Sequence, residues 1–278
     1  MRFIRVRHSP QIDVESVFRG SLLLMNSSDC TEKLISWAEE CIDEEFGNSL
    51  ELLTSDTKKK NDFVIKVQSV KSKFTNHEKT KKLLEELILL RYNEFLKFDL
   101  FYDVPRIRII PTSKLLKSGV SYNYLPHRDT WYGAGQEQIN HWISVKNVSD
   151  QATFFIAPSY FEKEVKNSSE IFDLNTWDRE HRNVASKSVE MEMRPHPMPL
   201  EEISDHLKIG FDLAQGSEVC FSGHHLHGSS ENRSLKVRVS IDYRVSIPSL
   251  PLRPPKNIDC MATGNYFDFM IRHPEFGD

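Results

Sequence analysis

The run Pro126-His127-Arg128-Asp129 sets an imidazole and a carboxylate two positions apart, a spacing that on an extended strand sends both side chains to one face. A second apolar run, Glu218-Val219-Cys220-Phe221, leads into Leu226-His227-Gly228-Ser229, and a third brings Arg238-Val239-Ser240. Two imidazoles and one carboxylate form the facial triad that holds non-haem Fe(II) with coordination positions left open. An arginine beyond the second histidine offers a planar, permanently charged fork to the carboxylate of an acid cosubstrate. An HxD pair alone means little. In this order with His227 and Arg238, it predicts a metal enzyme.

These residues resemble the Fe(II)/2-oxoglutarate-dependent oxygenases, and the second half of the chain is most similar to the phytanoyl-CoA-hydroxylase-like branch, bacterial biosynthetic hydroxylases in particular. The histidines lie 100 positions apart and Arg238 follows His227 by 11, spacings that suit that branch. The likeness covers residues 106–244. It implies that His127, Asp129 and His227 hold the iron and are the catalytic set, and that Arg238 pairs with the distal carboxylate of 2-oxoglutarate. Ser240 shares the Arg238 strand face and adds a donor. His224, His225 and His227 compete for the distal place; strand parity excludes only His224, and the Gly228-Ser229 that follows selects His227, as in the resembled family.

Ser229, Asn140 and Trp142 stand where the family makes cosubstrate contacts, with core packing an equal alternative for Trp142. Tyr124, Thr130, Trp131 and Tyr132 flank the metal strand and are expected to shape a substrate pocket. His225 is expected either to support the site or to face substrate, and Arg244 to reach the substrate. His141, of opposite parity to Asn140 and Trp142, is expected to point outward in a structural role. Related halogenases carry a small residue at the carboxylate position, so Asp129 argues against halogenation.

The implied reaction hydroxylates an unactivated C–H bond of a small-molecule metabolite with dioxygen, releasing succinate and carbon dioxide. Alternatives are desaturation, epimerisation or ring formation with the same cofactors, a protein or peptide hydroxylase, and a non-catalytic cupin-like binding protein.

The elements that must position these residues fall into two textures. Residues 29–46 read as an amphipathic helix capped by Asp29, with Leu34, Trp37, Ala38 and Cys41 at helical spacing. Residues 77–98 read as a longer helix striped by Leu83, Leu84, Leu87, Leu90 and Phe95. The polar, lysine-rich stretch 48–76 between them is expected to be partly mobile. From 106 onward, short β-branched and aromatic runs at 106–110, 122–125, 138–145, 153–157, 218–221 and 236–245 predict two antiparallel sheets. The expected fold is therefore mainly β with flanking helices: a double-stranded β-helix (jelly roll, cupin-like) behind an N-terminal helical buttress.

One domain is expected over 1–278: helical support in 1–104, the jelly-roll core in 105–247, and a tail in 248–278. The insertion 162–208 is expected to act as a lid or specificity loop, and within it Asn175-Thr176-Trp177-Asp178 resembles a family insertion, which implies a place near the site mouth. A net charge of −4 supplies no field for nucleic acid or an anionic membrane. No apolar run is long enough for a signal peptide or membrane span. The four scattered cysteines read as reduced thiols, so a cytoplasmic protein is expected.

Overall fold

The computed structural model describes residues 4–47, 50, 56–112, 125–180, 195–234, 236–252, 254 and 259–277. In chain order the elements are β1 (Ile4–Arg7), α1 (Val14–Phe18), β2 (Leu22–Met25), α2 (Asp29–Phe46), α3 (Thr57–Asn76) and α4 (Glu78–Tyr92). The second half supplies β3 (Phe101–Tyr102), β4 (Arg106–Ile110), β5 (Ile139–Ser144), β6 (Phe154–Ile156) and α5 (Leu174–Glu180). It closes with β7 (Glu218–Ser222), β8 (His227–Ser229), β9 (Arg238–Ser246) and β10 (Ile271–Arg272). A large sheet runs β1-β2-β7-β5-β9-β3-β10, with β4 also paired to β9, and β6 pairs with β8 in a small second sheet. All these pairings are antiparallel except β1 with β2, which makes the large sheet mixed.

The period of two along each strand sorts side chains into two compartments. On β5, Ile139 and Ile143 turn toward the helices, and on β9 so do Val239, Ile241, Tyr243 and Val245; all are buried with Leu34, Trp37, Val67, Phe74 and Leu87 in one core. The opposite face carries Trp142, Val219 and Phe221, which pack with Phe154 and Ile156 of the small sheet and with Phe211 and Leu213. Helices therefore cover one face of the large sheet, and the small sheet covers the other. A side-chain hydrogen bond from Trp37 Nε1 to Thr80 Oγ1 (2.7 Å) ties α2 to α4 inside the helical layer.

Several expectations need correction. Ser28, not Asp29, caps α2, its hydroxyl accepting from the Thr31 amide. The stretch expected to be mobile contains α3, a 20-residue helix capped by Asp56. Its stripe of Phe63, Val64, Val67, Val70 and Phe74 is buried against α2 and the sheet, while Lys58, Lys59 and Lys60 stay solvated. The second helix ends at Tyr92, where a short 3-10 turn takes over. The expected helical buttress also donates β1 and β2 to the large sheet. The expected tail places β10 beside β3. Of the strand expected over 122–125, only Leu125 is described, and it lies outside any strand. Among the described residues no helix is long and apolar enough to cross a membrane.

Candidate metal centre

His127 and His227 sit opposite each other in an isolated antiparallel bridge. Each backbone amide donates to the other's carbonyl, at 2.8 and 2.9 Å, which brings the two imidazole rings to 4.4 Å between centroids. Asp129 is not on a strand as expected. It opens a 3-10 turn, Asp129–Tyr132, that ends at Gly133 in the left-handed region (φ 81°), where a glycine carries no Cβ penalty. Arg128 remains extended, so the Asp129 carboxylate still swings toward both rings. Its Oδ1 lies 3.6 Å from His127 Nε2 and 3.7 Å from His227 Nε2.

The orientation of each donor is fixed by a second contact. Nδ1 of His127 bonds the Leu125 carbonyl at 2.8 Å, and Nδ1 of His227 bonds the His225 carbonyl at 2.9 Å. A carbonyl only accepts, so Nδ1 carries a proton and Nε2 is the ring nitrogen turned toward Asp129. Asp129 Oδ2 is engaged on the far side by Gln138 Nε2 (2.8 Å), Asn140 Nδ2 (2.6 Å) and Arg244 Nε (3.4 Å). Burial alone would raise the Asp129 carboxyl; Arg244 and the two histidines outweigh it and hold it well below the usual carboxylate range. Burial, then the charge of His127, brings the His227 ring down to about 3. The result at neutral pH is one carboxylate oxygen facing two imidazole nitrogens, with all three donors within 4.8 Å of one another. That donor set suits a divalent first-row ion with open positions.

A second cluster, His141, Glu218 and Cys220, has comparable spacing but different chemistry. Glu218 is held by Arg91 (2.9 Å), His141 (2.6 Å) and Tyr243 (2.9 Å), and Tyr92 bonds the other His141 nitrogen at 2.7 Å. Burial would raise Glu218, yet Arg91 and these bonds bring it to about 2. With its partners already supplied by protein, this cluster is a buried brace between α4 and the sheet. His141 is therefore structural as expected, but it faces the helical core rather than solvent.

Arg238 lies on the same face of β9 as Ser240, Asp242 and Arg244, the face shared by Asn140, Trp142 and Ser144 of β5 across the strand register. It is 4% exposed, and its Nη1 donates to the Ala152 carbonyl at 2.9 Å. Among the described residues, its Nε, the Ser240 hydroxyl and the nearby Thr153 hydroxyl are buried with no hydrogen-bond partner. Burial and then Arg108 lower the guanidinium to about 10, so it stays charged at neutral pH. Among the described residues this buried cation has one hydrogen-bond partner, a carbonyl, and a guanidinium is suited to pairing with a carboxylate.

The remaining expected site residues divide. Tyr132 turns its ring edge to His127 (5.2 Å) and meets Phe172 (5.0 Å) and His196 of the insertion. Trp177 contacts Phe172, so a chain of rings links the insertion to the site. Ser229 lies on β8 opposite Phe154, half-buried beside His227. Trp142 packs on Phe154 at 5.0 Å in the core between the sheets. Asn140 donates to Asp129, and Arg244 binds Asp129 and Asp103.

Trp131 is fully buried with its Nε1 on Asp259, and Thr130 is buried within the same 3-10 turn. His225 is buried in the tight turn before β8, with its nitrogens near the Ser222 and Gly20 carbonyls. Tyr124 and residues 181–194 of the insertion lie outside the described residues. Gln138, Arg128, Asp103 and Tyr266 were missed. Only Gln138, two positions before Asn140 on one strand face, carried a signal in the sequence.

No known family profile and no curated protein matches this sequence. Solved structures do match in fold. A non-heme monooxygenase, ThoJ in apo form, aligns at a TM-score of 0.53 and 13% identity over 85% of this chain and 78% of that one. EctD from S. alaskensis, in its apoform, aligns at 0.51 and 12% identity over 96% and 86%. The chain shares the β-sheet-rich architecture of these proteins.

Proposed function

We propose that the chain is a non-haem Fe(II)- and 2-oxoglutarate-dependent oxygenase that hydroxylates an unactivated C–H bond of a small-molecule metabolite. The observation that carries this reading is the convergence of His127, Asp129 and His227, with the buried, under-paired Arg238 on the same sheet face as the residues that hold Asp129. A ferrous ion in that donor set, with 2-oxoglutarate and dioxygen, supplies oxidative decarboxylation to succinate and carbon dioxide and the power to open a C–H bond. The likeness to a non-heme monooxygenase supports the same class.

The residues divide the work. His127 and His227 present Nε2 because their Nδ1 protons are committed to carbonyls. Asp129 presents Oδ1 because Oδ2 is tied to Gln138 and Asn140. Arg238 pairs with the distal carboxylate of 2-oxoglutarate, and the Ser240 and Thr153 hydroxyls add donors beside it. Trp142, Phe154 and Phe221 form an apolar wall that keeps water from the acid, and Tyr132 and Phe172 bound the side on which substrate enters. The two sheets are read as the walls of one double-stranded β-helix domain, with 162–208 as a lid. Free cysteines suit a cytoplasmic, reducing setting that maintains ferrous iron. The net charge of −4 favours a small substrate over nucleic acid.

The test is succinate release with Fe(II), ascorbate and 2-oxoglutarate across a panel of amino acids, glycosides and peptide-like metabolites. Release should depend on iron, rise with the right metabolite and vanish in His127→Ala. Turnover retained in that variant would overturn the reading.

A further inference from the structure

The segment 259–268, a tail by sequence, touches the turn that carries Asp129 through Asp259, Cys260, Gly264 and Tyr266. Asp259 Oδ2 lies 3.1 Å from Arg128 Nε, and Asp259 Oδ1 accepts from Trp131 Nε1 at 3.0 Å. Cys260 Sγ donates to the Thr130 carbonyl at 2.8 Å, and the Tyr266 amide donates to the Gly133 carbonyl at 2.8 Å. The two backbones run so close that a Cβ on Gly133 would sit 3.2 Å from the Gly264 carbonyl oxygen.

A second line of contact approaches Asp129 from the sheet. The Tyr266 hydroxyl donates to Asp103 Oδ2 at 2.8 Å and accepts from Arg106 Nη2 at 2.6 Å. The same Asp103 oxygen accepts from Arg244 Nη1 at 2.9 Å, and Arg244 Nε stands 3.4 Å from Asp129 Oδ2. Asp103 is almost fully buried, so its charge is spent on this group of partners. Without Asp103 and Tyr266, the Arg244 stem has rotamers open to it that leave Asp129.

We infer that segment 259–268 is a strap belonging to the metal centre, with Tyr266 and Asp103 as positioning residues that hold Arg244 on Asp129 and so keep that carboxylate in a one-oxygen ligating pose. The inference rests on the triad being a metal site and goes beyond it, since it assigns control of metal affinity to residues that touch no metal ligand. Groups bonded directly to a metal ligand, as Arg244 is to Asp129, typically tune metal affinity about 10- to 100-fold, and Asp103 and Tyr266 act through that contact.

The experiment is calorimetric titration of the full chain with Mn(II), with the absorption spectrum of the Co(II)-loaded protein recorded in parallel. Tyr266→Phe and Asp103→Asn should each weaken Mn(II) binding, by up to about 10-fold, and shift the Co(II) bands, with Tyr266→Phe keeping nearly the wild-type melting temperature without metal. Arg244→Gln should weaken binding further, and Arg244→Lys should recover part of the loss. Should Asp103→Asn fail to fold, Tyr266→Phe, which removes one hydroxyl, decides the matter alone. Wild-type affinity and spectrum in folded Tyr266→Phe would overturn the strap while leaving the metal site intact. A wild-type chain that binds no Mn(II) would remove the metal reading and the strap together.

Discussion

Replacing Arg238 with Met should push stability and cosubstrate affinity in opposite directions. The guanidinium is buried, has one carbonyl partner, and is drawn from the ordinary arginine value to about 10. At 1.36 kcal/mol per pKa unit, holding that charge costs the folded chain roughly 3 kcal/mol. Methionine keeps the apolar stem and removes the charge, at the loss of one hydrogen bond to the Ala152 carbonyl worth about 1 kcal/mol. The net gain is about 1–2 kcal/mol, which for a domain of this size raises Tm by roughly 2–6 °C. If Arg238 holds the distal carboxylate of 2-oxoglutarate as proposed, the same change deletes two charge-assisted hydrogen bonds and should weaken 2-oxoglutarate binding about 100-fold or more. Thermal denaturation without ligand and calorimetric titration with 2-oxoglutarate read the two effects separately. A variant that melts lower than wild type and binds 2-oxoglutarate as tightly would refute the reasoning on both counts.

Three further outcomes are expected. Among the described residues His224 is buried with no hydrogen-bond partner at Nε2, and burial followed by the Arg128 charge lowers its pKa to about 4. The unfolded chain therefore takes up this proton first, so the stability is fully present above pH 6.5 and is lost as pH falls toward 4; His224→Leu should flatten the stability-against-pH curve there by up to about 1.4 kcal/mol per pH unit, and an unchanged slope in denaturant titrations would count against it. Glu218→Gln leaves Arg91 buried without its counterion and should cost about 3–5 kcal/mol in urea unfolding, a loss under about 1 kcal/mol being inconsistent with the brace. Phe74→Ala, at a fully buried position of α3, should cost about 3–5 kcal/mol, whereas a mobile 48–76 segment would lose almost nothing.

What could be read in the chain depended on how local each signal was. The strand runs at 106–110 and 218–221 carry dense β-branched or aromatic residues, and β4 and β7 fall on them within a residue. His227 and Arg238 were legible because a short turn and one strand fix their order and face. The α3 helix was hidden because lysines crowd its polar side and dilute the apolar stripe from Phe63 to Phe74 that only packing against α2 makes visible. β1 and β2 gain their meaning from β7, nearly 200 residues away, and neither has a turn signal of its own. Parity placed Arg244 on the correct face but could not name its partner, because Asp129 and Asp103 arrive from separate loops. Asp259 and Tyr266 gave no pattern, since their value lies in contacts across more than a hundred positions.

The central claim is tested most directly by counting metal. Under anaerobic conditions, with 2-oxoglutarate present, the wild-type chain should bind one equivalent of Fe(II). His127→Ala, Asp129→Ala and His227→Ala should each bind none at the same concentration while remaining folded by circular dichroism. One equivalent retained in all three variants would contradict the account.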